Sequence, residues 1–143
     1  MNADCRTAAA ALTAAREIAL QDDESSVPVD IVGIAREAGV ASIESRSMNI
    51  DGYLGRSPKG QLIIRYNAGN PWRRNRFTIA HEIGHLLIAR CDGREIAAPV
   101  GRTWDRNESE ELLANRIAAE LLMPERRLSS DRRRHDGARS QRR

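Results

Sequence analysis

Aromatic side chains amount to only 3% of the sequence, two Trp, two Tyr and one Phe. No platform of rings on which single-stranded nucleic acid could stack is therefore on offer. Cysteine is almost as scarce. Cys5 and Cys91 stand far apart and form no C-x-x-C pair, which argues against a disulfide framework and a thiolate zinc cluster and fits a reducing cytoplasm. No apolar run approaches the roughly 20 residues of a membrane-spanning helix. The opening MNADCRTAAAALTAAREIAL lacks a basic start followed by a leucine-rich core, so neither a membrane segment nor a secretory signal is expected.

What is abundant is charge, 30% of all residues, with a formal net of +3. Its location matters more than its sum. Residues 126–143 hold eight arginines against Asp131 and Asp136, a net of +6, so residues 1–125 carry −3. The expectation is one mildly acidic domain over 1–125 and a basic tail over 126–143, too poor in apolar residues to order itself. A solvated terminus is the plain reading of that tail; a weak electrostatic contact with DNA is the sharper one.

Along the domain, alanines favour a helix over about 6–20. A second helix is marked by Ser25 and Ser26 as caps, Pro28 in the first turn and Gly39 as a stop, with Val32 and Ala35 on its buried face. Between Val40 and Asn67 the pieces ASIES, DGYLGRS and QLIIRYN read as short strands, the last two joined by a turn at Ser57-Pro58-Lys59-Gly60. These predict a small antiparallel sheet. An apolar helix then runs to about Arg90, and after a loop-like stretch over 94–106 a last helix spans about Glu108 to Leu122, with Asn107 as its cap and Met123-Pro124 as its stop. The fold class is α+β.

The chemistry sits in His81-Glu82-Ile83-Gly84-His85. In H-E-x-x-H on a helix the two imidazoles lie about one turn apart and project from one face, where they can grip a single ion. The glutamate between them stands beside that ion and can act as general base toward water that the metal has acidified. Ordinary helix histidines with a solvated glutamate are the alternative. Two observations weigh against it: two of the three histidines in the chain fall here, and the surrounding Phe77, Ile79, Ala80, Ile83, Leu86, Leu87 and Ile88 are apolar, so polar side chains among them need partners. Shuffled chains of this composition would contain the motif roughly once in two hundred.

Zinc needs a third protein ligand and an open position. Ile88, Ala89 and Arg90 follow the motif, so no third histidine stands at the short spacing. The acidic start of the last helix, Glu108, Glu110 and Glu111, is the natural source, each with the ordinary alternative of a charge favoured by the helix dipole. Glu111 shares a helical face with Asn115, Ala118, Ala119 and Leu122 and Glu108 lies on the same side, whereas Glu110 points elsewhere.

The segments FTIAHEIGHLL at Phe77–Leu87 and EELLANRIAAELLMP at Glu110–Pro124, led by PVDIVGIAREAGV and the DGYLGRS to LIIRYN hairpin, resemble the ImmA/IrrE family of bacterial and phage metallopeptidases. The similarity runs from about Val27 to Pro124, and the pairing of both motifs is more specific than H-E-x-x-H alone. The resemblance implies a zincin-like, gluzincin-type fold, Zn2+ on His81, His85 and Glu111, and Glu82 as general base. It further implies a cytoplasmic metalloendopeptidase that cleaves a helix-turn-helix transcriptional repressor and so controls a mobile element or a stress response. Tyr53, Tyr66 and His135 are candidates for steadying the oxyanion. A contrasting reading is a non-catalytic regulatory or toxin–antitoxin binding module that keeps the fold; a general base at Glu82 favours the enzyme.

Overall fold

The computed structural model describes residues 5–21, 29–101 and 106–123. Seven elements follow one another: α1 Cys5–Gln21, α2 Ile31–Glu37, β1 Ser42–Arg46, β2 Gly52–Arg56, β3 Leu62–Asn67, α3 Trp72–Cys91 and α4 Glu108–Leu122. Ser25, Ser26, Pro28, Trp104, Pro124, His135 and the whole 126–143 tail lie outside the described residues.

Helix α3 is the hub. From Thr78 to Ala89 every residue except the half-buried His81 is buried, because α1, α2 and α4 pack around the helix and β2 and β3 cover another side. A helix apolar on nearly all sides belongs in the interior. Ile79, Ile83 and Ile88 are fully enclosed, and burying each such side chain stabilises the fold by roughly 1.5–3 kcal/mol. This fixes the motif helix in place.

The sheet differs from the antiparallel one expected. Its strand order is β1-β3-β2, and while β2 and β3 form the antiparallel hairpin, β1 lies parallel to β3. The apolar run of β3 supplies the reason. Leu62, Ile63 and Ile64 are all buried, and a strand apolar on consecutive positions takes the doubly flanked central place. The hairpin therefore folds β3 back between its own partner and β1, with which it then shares direction. At the turn Gly60 donates its N–H to the Ser57 carbonyl at 2.8 Å and adopts φ of +79°, a conformation that suits glycine.

Helix α2 starts at Asp30, whose carboxylate accepts from the Gly33 N–H at 3.0 Å, so the cap is this aspartate and not a preceding serine. Its buried face is Ile31, Ile34 and Ala35, with Val32 only partly covered. Helix α4 begins as expected: the Asn107 side chain accepts from the Glu110 N–H at 2.8 Å, the usual role of an N-cap asparagine. Glu110, Leu113, Ala114, Ile117, Ala118 and Leu121 form its buried face. Helices α3 and α4 meet closely at Gly84, where an added Cβ would lie 3.0 Å from both the Cα and the carbonyl oxygen of Ala114.

Candidate metal centre

Three electron-pair donors converge between α3 and α4. His81 Nε2 and His85 Nε2 lie 3.0 Å apart, Glu111 Oε2 is 3.1 Å from the first and Glu111 Oε1 is 2.9 Å from the second. One ligand atom from each of the three residues can be chosen so that all lie within 4.8 Å of one another. The histidines share a face of α3 because four residues make about one turn. Glu111 reaches them because it lies in the first turn of α4, just beyond the close approach at Gly84.

The outer nitrogens of both rings are taken up by α4. His81 Nδ1 donates to Asn115 Oδ1 at 2.7 Å, and His85 Nδ1 donates to Glu110 Oε2 at 2.6 Å. A ring whose single proton is held at Nδ1 presents its Nε2 lone pair to the space shared with the Glu111 carboxylate. Three acceptors facing one point repel one another unless a cation lies among them. The donor set thus fits a divalent metal, and two imidazoles plus a carboxylate is a set that zinc accepts.

His85 is fully buried and its partner Glu110 nearly so. From Glu110 a chain of polar contacts leads outward: Oε1 accepts from Arg94 Nη2 at 3.0 Å, Arg94 Nε donates to Asp92 Oδ2 at 3.2 Å, and Asp92 Oδ1 accepts from the Thr7 hydroxyl of α1. Burial pushes the Glu110 carboxyl up, but the hydrogen bond with His85 and the ion pair with Arg94 outweigh it and hold the group below the usual carboxylate range.

Glu82 is 3% exposed. A buried carboxylate needs compensation, and Arg106 provides it with a two-pronged contact, Nη1 to Oε1 at 3.1 Å and Nη2 to Oε2 at 3.0 Å. Its Nη1 also stands 3.8 Å from Glu111 Oε1. Phe77, one turn before His81, leaves 40% of its surface exposed and lies 6.2 Å from the His81 ring, centre to centre.

The structure brings His81, His85 and Glu111 together, with Glu82 linked to Glu111 through Arg106. Glu108 is exposed. Glu110, which helical spacing turned away from the site, faces inward, because the buried stripe of α4 runs through Glu110, Ala114 and Ala118 while Ala119 is exposed. Neither tyrosine joins the cluster. Tyr66 meets Trp72 edge-on at 5.8 Å and lines a recess with Val32, Arg36 and Ile43, and Tyr53 lines a groove with Arg46, Met48 and Arg65. Sequence reasoning named Glu110 and Asn115, the first as a possible ligand and the second on the face of Glu111, but missed that they hold the histidine rings; Arg106, in the connection before the cap, had no signal at all.

Comparison with known proteins adds kinship to this geometry. Residues 35–140 match the model of a peptidase family described as the IrrE N-terminal-like domain. The radiation response metalloprotease IrrE of Deinococcus radiodurans is 33% identical over 94 residues, a stretch that covers 62% of this chain and 27% of that relative. The chain thus matches about a quarter of the length of that relative.

Proposed function

The chain belongs to the peptidase family of the IrrE N-terminal-like domain, and on that premise we propose that it is a zinc-dependent metalloendopeptidase. The observation that carries this reading is the convergence of His81 Nε2, His85 Nε2 and the Glu111 carboxylate, with Glu82 on the same helix. Held by those three side chains, zinc would acidify water and polarise a scissile carbonyl. Glu82 takes the proton from the attacking water and returns it to the departing amine. His81 and His85 are kept from rotating by Asn115 and Glu110, and while Glu82 and His85 are buried, the Glu111 side chain is 40% exposed, which leaves the cluster open to a substrate.

For a substrate we favour a helix-turn-helix repressor encoded near this chain, cleaved in the cytoplasm to release a stress response or a mobile element. The relative at 33% identity is named a radiation response metalloprotease, which supports the stress-linked form of this reading. The arginines of 126–143 would add a weak, salt-sensitive contact with the repressor's DNA. Among the described residues no helix is long and apolar enough to cross a membrane.

The deciding experiment measures metal by elemental analysis in wild type and His81→Ala, with cleavage of the neighbouring repressor followed on the same samples. Near-stoichiometric zinc and cleavage, both lost in the variant, support the peptidase. Zinc without cleavage would reject the repressor as substrate, and absence of zinc would reject the metal centre and favour a binding module.

A further inference from the structure

A buried base has to be aimed as well as neutralised. The Glu82 carboxylate could turn about its terminal torsion, which is soft for such groups, yet a general base at this position needs one oxygen to face the cluster of His81, His85 and Glu111. Arg106 removes that freedom. Its two nitrogens meet the two carboxylate oxygens at 3.1 and 3.0 Å, a pairing that sets the carboxylate plane. Both side chains are well covered, 16% and 4% exposed. The same guanidinium stands 3.8 Å from Glu111, so it lies between the base and the carboxylate of the cluster. Arg106 immediately precedes the α4 cap Asn107, and the cap therefore sets where the fork is delivered.

We propose that Arg106 is the positioning residue of Glu82, holding its carboxylate plane fixed beside the metal centre. This inference rests on the metallopeptidase reading. Each carboxylate oxygen has two acceptor sites; the fork takes one on each and leaves the other for a proton from water or ligand. Lysine cannot substitute, because a single ammonium lacks the planar pair of donors.

The test uses the full chain loaded with cobalt(II), whose visible spectrum reports binding of acetohydroxamic acid, a chelator with an acidic proton that a neighbouring carboxylate can accept. Glu82→Gln is expected to weaken binding about tenfold, the value of one charge-assisted hydrogen bond. Arg106→Ala should weaken it by a similar factor, and the double variant should be no weaker than either single one, since both changes remove the same contact. Arg106→Lys should stay weak, while guanidinium ion at a low, non-denaturing concentration should restore Arg106→Ala. Wild-type affinity in Arg106→Ala, or losses that add in the double variant, would overturn the proposal. Should the alanine variant not fold, Arg106→Gln takes its place in the same cycle. Protein that binds cobalt and hydroxamate as described but cleaves nothing would sink the peptidase reading alone; protein that takes up no cobalt would sink both.

Discussion

Glu110 places one oxygen 2.6 Å from His85 and the other 3.0 Å from Arg94. Partners of this kind fix the ring and raise its basicity toward a metal, and removing them typically weakens metal affinity about 10- to 100-fold. Glu110→Gln is expected to fall in that range by chelator competition; unchanged affinity would deny it the role. The carboxyl lies below its ordinary value in the folded protein. Its contribution to stability is therefore present above the unfolded carboxylate range, near pH 4, and is lost as pH falls through the folded value. The melting-temperature gap between wild type and Glu110→Gln should then be widest at neutral pH and close in acid. On the proposed function, Glu82→Gln should by contrast keep zinc while cleavage of the proposed repressor substrate drops by roughly 10²- to 10⁴-fold, and a fully active variant would remove Glu82 as the base.

Among the elements, α3 and α4 are largely legible in the sequence. H-E-x-x-H names three of the central side chains, and Asn107 marks the start of α4 to the residue. The rotation of α4 about its own axis was also legible: Leu113, Ala114, Ile117, Ala118 and Leu121 recur at helical intervals from Glu110 and form the buried face, whereas the face drawn through Ala119 and Leu122 lies one position round from it. The direction of β1 was hidden, since a strand's own residues do not say which neighbour it will flank. Gly84→Ala tests the contact of α3 with α4: a methyl group 3.0 Å from backbone atoms of Ala114 requires the two helices to give by a few tenths of an ångström, an overpacking cost of about 1–3 kcal/mol that is offset in part by the roughly 1 kcal/mol of helix propensity gained over glycine, so a net loss is expected in thermal unfolding. Zinc affinity should fall with it, because Glu111 would move away from the histidines.

Over the whole molecule, the side chains of the centre and their hydrogen-bond partners named above lie, among the described residues, between His81 and Asn115, while the excess of positive charge lies beyond residue 125. Removing 126–143 changes the formal net charge from +3 to −3. Such a chain should keep wild-type zinc stoichiometry and lose its retention on heparin at low salt. Loss of zinc on truncation would show that the tail supports the fold.

The histidines and Glu82 all stand on α3, yet among the described residues the groups that partner them across the centre come from α4 or the residue before its cap: Arg106 for Glu82, Glu110 and Glu111 for His85, Glu111 and Asn115 for His81. The two helices therefore work like a plug and its socket. Withdrawing α4 by a few ångströms would part all three residues from these groups in one event, so, on the proposed metallopeptidase reading, a ligand that pried this single helix loose would inhibit without ever touching the metal site.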